Sequence, residues 1–394
     1  MYYCGVDIAK RKHVALMMDS QGQIVKRAFS FDNSRSGFDQ LLEVLRSQPE
    51  PVTVGLESTG HYWLALYEAL SRQEYPVVVL NPLQVHAYQR TGLRKCKSDR
   101  VDSFWVADFV RISQRPPATQ ATVQILQLRE LSRFRYRLGE QIGECKQKVL
   151  NILERVFPEY EKLFSDIFVQ SSRRILEMAV SPHEFADFDL AELSAILQQA
   201  SRGRFGLEKA QAIQAAARQS IGYSFLTDAV RVEMRCLLAQ IELLETQRTQ
   251  VDATLVSLME QTPQYLTTIP GIGLATGATI LAEIGDVQRF DSLEKLVAYA
   301  GINATVYQSG QFEADEAHMS KRGSPYLRWA LWQAAVAAAK ADPELKTYYE
   351  RKLAEGKKHG TIIGACCRKL LARIYIVLKQ QRPYVLRNCV DADP

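Results

Sequence analysis

Lys95-Cys-Lys-Ser-Asp-Arg-Val-Asp-Ser-Phe-Trp-Val-Ala-Asp-Phe109 reads as a basic lead-in followed by the start of a helix. Asp99 and Asp102 are three apart, so on a helix they share one face about a turn apart. Ser98 suits the N-cap, and carboxylates in the first turn suit the helix macrodipole. Val101, Phe104, Trp105, Ala107 and Phe109 cover much of the remaining circumference, which predicts a largely buried helix. Two carboxylates at its edge need a partner, because an unpaired buried charge is expensive. On these residues alone, an acidic first turn paired with Arg100 and Lys97 accounts for them better than chemistry does.

Working outward toward the N-terminus, residues 1–9 form a short apolar strand with Asp7 near its end. Residues 12–19 and 24–31 read as two more strands, and Ser20-Gln-Gly-Gln23 between them is a hairpin signal. Asn33 to Leu45 carries Phe38, Leu41, Leu42 and Leu45 at core spacing for a helix. Val52 to Leu56 is a buried strand running into Glu57-Ser-Thr-Gly60. A helix follows from His61 to Leu70, then a fifth strand, Val77 to Leu80. This order predicts a mixed sheet of the ribonuclease-H (RuvC-like) type, its first three strands an antiparallel meander. Asp7 and Glu57 then end strands, and the Asp99 helix can pack back over the same end. Each acid alone reads as a solvated strand end or cap; four converging in one topology read as a site. Oxygen donors without a His or Cys cluster favour Mg²⁺ or Mn²⁺ over zinc. Two such ions suit phosphodiester chemistry.

Composition bounds the partners. The 394 residues allow two or three domains, and 47% hydrophobic with 24% charged is ordinary for a globular protein. No apolar run approaches a membrane span and the N-terminus lacks a signal region, so neither membrane nor export is expected. Seven cysteines without a CxxC pair argue against a disulfide framework or structural zinc and for a reducing cytosol. Net charge is only +5, but from Ser320 to Arg387 fifteen Lys or Arg stand against four Asp or Glu. That asymmetry points to a polyanion.

Past Pro116-Pro117 the character changes. Leucine and isoleucine recur at threes and fours from Ile125 to Leu163 and again from about Asp228 to Met259, predicting two long amphipathic, coiled-coil-like helices. Residues 166–226 between them read as a small helical insert, and the whole middle as a spacer and dimerising arm. Pro270-Gly-Ile-Gly273 before a small-residue helix resembles a helix-hairpin-helix, in which Gly271 and Gly273 amides would face a phosphate. A tight turn with no ligand explains the same residues equally. Lys321, Arg322 and Arg328, around a Gly-containing loop before a helix, are candidates for phosphate contact, as are Lys95 and Lys97. A solvated basic face is the plain alternative.

Together these residues resemble a known family. Gly5-Val-Asp-Ile-Ala-Lys10, Glu57-Ser-Thr-Gly-His-Tyr-Trp63, Val79-Leu-Asn-Pro82 and Lys97-Ser-Asp-Arg-Val-Asp102 are similar to the N-terminal DEDD domain of insertion-sequence-110 family transposases. Ile269-Pro-Gly-Ile-Gly273, Ser309-Gly310, Ser320-Lys-Arg-Gly323 and Leu327-Arg328 resemble that family's C-terminal domain, and Piv-type DNA invertases share both. Coverage is about 1–115 and 265–380. One departure is Ala304, where the family usually has Pro; it removes no reactive group. The resemblance implies that Asp7, Glu57, Asp99 and Asp102 bind metal and that Ser309 is the nucleophile. Ser309 by itself reads as a turn residue. A serine ester would conserve the phosphodiester bond energy for rejoining.

These readings predict three domains: a RuvC-like DEDD domain (1–115), a helical coiled-coil region (116–265) and a mostly helical transposase domain (266–394). The expected protein is a bacterial cytoplasmic DNA recombinase of a mobile element, nucleoid-associated when acting. It would work as a homo-oligomer, dimer or tetramer, and the resemblance implies guidance by an element-encoded RNA. Ser309 lies 207 positions after Asp102, so a composite site is expected, built either within one chain or between subunits. The alternatives are a structure-selective endonuclease with Ser309 structural, and a non-catalytic nucleic-acid-binding protein.

Overall fold

The computed structural model describes residues 1–58, 61–80, 82–90, 99–113, 117, 120–303, 308–309, 312–313 and 319–386. They divide into two compact units, Met1–Val123 and Gln124–Pro394. No described helix is long and apolar enough to cross a membrane.

The first unit is built on β1 (Tyr2–Asp7), β2 (Lys12–Asp19), β3 (Ile24–Asp32), β4 (Val52–Glu57) and β5 (Val77–Leu80). Their spatial order is β3-β2-β1-β4-β5, with the first three antiparallel and β4 parallel to both β1 and β5. The meander expected from the Ser20–Gln23 turn is therefore present. β4 is buried along nearly its whole length, as a central parallel strand must be, and between Val52 and Leu56 Thr53 is its one polar residue. The helices are α1 (Arg35–Arg46), α2 (Trp63–Arg72), α3 (Pro82–Gln89) and α4 (Asp99–Ser113). Ser34 caps α1, its hydroxyl accepting from the Gly37 amide. α3 begins at Pro82, beyond the fifth strand, where no helix was expected. Proline at a first helical position was the available signal.

Two glycines seat α4 on the sheet. Gly5 and Gly55 are register partners on β1 and β4. A Cβ on Gly5 would lie 2.2 Å from the Ala107 amide nitrogen, and one on Gly55 would lie 2.4 Å from Val110 Cγ2. The helix thus rests against bare backbone, with Val106, Ala107 and Val110 buried beneath it.

The second unit is helical. α5 (Gln120–Val156) leads into it, and a 3₁₀ turn at Pro158–Leu163 follows. Then come α6 (Gln170–Leu176), α7 (Pro182–Asp187), α8 (Leu190–Ala200), α9 (Leu207–Gln219) and the long α10 (Thr227–Glu260). The stretch between α5 and α10 is more than a spacer: Phe157, Tyr160 and Phe185 are wholly buried in a core that includes Val149, Ile152, Leu193, Ile213 and Ile241. A second core gathers around α11 (Leu274–Ile284), α12 (Leu293–Ala300), α13 (Pro325–Ala341), α14 (Pro343–Ala354) and α15 (His359–Gln380). Between α12 and α13 lies a small antiparallel ribbon, β6 (Gln308–Ser309) and β7 (Phe312–Glu313). A single 3₁₀ turn, Leu266–Thr268, precedes the Pro270–Gly273 turn and α11.

Candidate active site

Asp7 and Glu57 occupy the same end of the sheet. Val6 is paired with Leu56 across parallel β1 and β4, so the next residue of each strand brings the two acids side by side. α4 supplies the other two. Its seat is Gly5, whose missing Cβ would meet the Ser103 carbonyl at 2.3 Å. Asp102 immediately precedes Ser103, and Asp99 is one turn earlier, so the acidic first turn lies over the end of β1. Asp7 feels the other three: its carboxyl is pushed up to about 7, first by burial, then by Asp102, Asp99 and Glu57, with the Ile8 amide opposing.

α3 braces this arrangement with residues that sequence reading passed over. Gln89 Nε2 donates to Asp102 Oδ1 at 3.1 Å. Tyr88 Oη donates to Asp108 Oδ2 at 2.6 Å, while Arg111 Nε donates to Asp108 Oδ1 at 2.9 Å. Burial, and then Asp108, hold the Tyr88 phenol up at about 12, so it stays a donor. These bonds fix the roll of α4 and, with it, the direction of its first-turn acids. The signal in the sequence was Asp108 on an otherwise apolar face.

Among the described residues, no three His, Cys, Asp or Glu side chains stand ready as a metal cage. The donor chemistry nonetheless suits a hard divalent cation: four carboxylates, unaccompanied by thiolate, whose mutual repulsion a cation would relieve.

Lys95 and Lys97, with the Ser98 cap, fall outside the described residues. Ser309 is on β6, paired with Phe312, in the second unit. The base of its segment is tied: the Ser320 amide donates to the Asn303 carbonyl at 2.9 Å and the Ser320 hydroxyl to the Asn303 side chain. Gly271 has a left-handed φ of +92°, and a Cβ there would sit 2.4 Å from the Ala338 amide nitrogen, so helix packing alone requires glycine. Gly273, the α11 N-cap, has open space at its Cβ position. Lys321 and Arg322 are exposed, with Lys321 at a left-handed φ of +52°. Arg328 supports that loop from beneath, its Nη1 donating to the Ala300 and Lys321 carbonyls, both at 3.3 Å.

Comparison with known proteins gives first the class. Residues 4–158 match a family model described as a transposase, of the DEDD type, and residues 263–350 match the transposase IS116/IS110/IS902 family. A mini-circle protein of IS117 from Streptomyces coelicolor is 26% identical over 94% of this chain and 91% of its own. The pilin gene-inverting protein of Moraxella lacunata is 25% identical over 97% of each chain. The transposase for insertion sequence element IS1111A of Coxiella burnetii is 23% identical over 96% of this chain and 90% of its own. The chain belongs to the IS110 family of transposases, a family of DNA-cutting and rejoining enzymes.

Proposed function

We propose that this transposase excises and inserts its own mobile element by a serine-ester route assisted by Mg²⁺ or Mn²⁺. The observation that carries the reading is the seating of α4 on the Gly5–Gly55 pair, which lays Asp99 and Asp102 over the strand end holding Asp7 and Glu57. Strand order and this placement support a ribonuclease-H-type, RuvC-like catalytic domain at 1–115. The helical middle at 116–265 and the transposase domain at 266–394 complete the proposed division.

Asp7, Glu57, Asp99 and Asp102 would hold the ions, closing on them when they bind. Divalent ions supply activation of an attacking oxygen and neutralisation of the phosphate charge. Ser309 Oγ attacks phosphorus and forms a phosphoserine ester; the P–O bond to one DNA strand breaks, and the departing strand oxygen leaves as a hydroxyl with the serine proton. In rejoining, a strand hydroxyl attacks the same phosphorus, the serine ester breaks, and the proton returns to Ser309 Oγ. The Lys321–Arg322 loop and the basic C-terminal region are the proposed docking surface for DNA and for an element-encoded guide RNA. The turn at Gly271–Gly273 would add amide contacts to phosphate. A homo-oligomer is the proposed working form.

The test combines protein, element-end DNA, Mg²⁺ and co-purifying RNA, and assays for a covalent protein–DNA adduct. The adduct is expected with the unmodified protein and absent from Ser309→Ala and Asp102→Asn, with nucleic-acid binding retained in both. Metal-dependent cutting without any adduct would replace this reading with a structure-selective nuclease. Thermal stabilisation of the protein by Mn²⁺, lost in Asp7→Asn, reports on the ion site independently of cutting.

A further inference from the structure

α10 has two apolar faces, and only one is covered. Val230, Met234, Leu237, Leu238 and Ile241 turn inward to the core shared with α6–α9. On the opposite side Ala229, Val232, Cys236, Ala239 and Leu243 are all exposed, Val232 by 64% and Leu243 by 58%. Phe225, just before the helix, continues the line at 81% exposure, and Thr246 ends it. The spacing alternates four and three without a break from Phe225 to Thr246, the repeat of a coiled-coil seam. Along the helix it is about 25 Å long at 1.5 Å per residue.

We propose that this face is the contact between two copies of the chain, with α10 packed antiparallel on α10 of the partner subunit. In the proposed register Val232 meets the partner's Leu243 and Cys236 meets the partner's Ala239, each twice by symmetry. The small central residues permit a close helix approach, of about 8 Å. Charge selects the orientation and the register. Arg235 and Glu242 flank one side of the seam, both exposed. Arg235 Nε is fixed along that flank by the Glu177 carbonyl at 2.8 Å. The proposed register places Arg235 beside the partner's Glu242, again twice, and Glu233 beside the partner's neutral Gln240. Sliding one heptad in one direction sets Arg235 against the partner's Arg235 and Asp228 against the partner's Glu242. Sliding in the other sets Glu242 against the partner's Glu242. A parallel, in-register pair sets Asp228 beside the partner's Glu233. Like charges so placed are unfavourable, so the antiparallel register stands alone among these four. The occupant is a second copy because the stripe is complementary to itself under a two-fold axis.

This names the surface behind the oligomer proposed above and does not depend on the chemistry of Ser309, so either can fail without the other. Sedimentation of the full chain should show a dimer that Val232→Glu combined with Leu243→Glu converts to monomer while helix content is kept. Arg235→Glu should raise the dimer dissociation constant about tenfold, as two favourable pairs become repulsive ones. The combined exchange Arg235→Glu with Glu242→Arg should restore it. Under mild oxidation, Ala239→Cys should link its new thiol to Cys236 of the partner subunit, as mapped by mass spectrometry. A monomer at all concentrations, or a dimer indifferent to the two glutamates, would overturn the proposal. So would dominant linkage between Cys236 and the partner's Cys236 in the unmodified protein, which marks a parallel pair. Loss of RNA binding in the glutamate variant of an already monomeric protein would assign the face to nucleic acid instead.

Discussion

Gly5 has no side chain because a helix lies where one would be. Gly5→Ala places a methyl within 2.2 Å of the Ala107 amide nitrogen, which side-chain rotation cannot relieve. Overpacking against backbone should cost about 3 kcal/mol, read as a lower denaturant midpoint for the first unit. His13 offers a pH test in the same unit. It is buried at 1% exposure, and its Nδ1 accepts from the Ala9 amide at 3.2 Å. Burial lowers its pKa below the ordinary imidazole value, with Asn33 opposing. The unfolded chain therefore takes up the proton first, and the His13 contribution to stability is full above about pH 6.5 and declines as pH falls through and below it, opposite in sign to that of Asp7, whose raised carboxyl protonates first in the folded chain. His13→Gln should flatten that decline in thermal unfolding between pH 7 and pH 5. A slope unchanged by the substitution would remove His13 as its source.

Among the elements, a buried carboxylate ties α5 to the C-terminal helices. Glu283, near the end of α11, is wholly buried and accepts from Arg133 of α5 at 2.7 and 3.2 Å. Ser324, the α13 N-cap, donates to the same carboxylate at 2.8 Å, and the Arg133 guanidinium stacks 4.8 Å from the Tyr326 ring centre. Three helices converge there, directly behind the loop bearing Lys321 and Arg322. Arg133→Ala strands a buried charge and should destabilise the second unit by about 3 kcal/mol, measured by chemical denaturation. A variant replacing both partners, Arg133→Met with Glu283→Gln, should recover part of that loss. Lys321→Glu with Arg322→Glu should leave stability intact but weaken nucleic-acid binding uniformly across sequences and flatten its salt dependence. Unchanged affinity in both low and high salt would remove this loop from the docking surface.

At the scale of the whole molecule, the acids belong to one compact unit and Ser309 to the other. We propose a composite site in the assembled complex, with the serine of one subunit serving the acids of another. Keeping nucleophile and metal site apart until synapsis would prevent stray cutting. Mixing Ser309→Ala protein with Asp102→Asn protein should then restore adduct formation in some mixed complexes. Mixed oligomers that stay inactive would place both groups in one chain.

Most of the local architecture is legible in the residues alone. The succession of strands and helices in the first unit (α3 aside), the antiparallel meander, the two long helices and the acidic start of α4 all follow from apolar periodicity and turn residues, which act over a few positions. Asp7, Glu57, Asp99 and Asp102 could be nominated because each ends or begins an element. Ser309 could not be picked by such reasoning and entered through family resemblance alone. The Gly5–Gly55 seat and the Gln89–Asp102 and Tyr88–Asp108 bonds emerge from long-range packing. So does the core that makes residues 157–226 a folded body, and so does the division of α10 into a covered and an open apolar face. Periodicity reports that a residue faces something; which partner occupies that side depends on contacts between segments far apart in the chain, where local spacing carries no information.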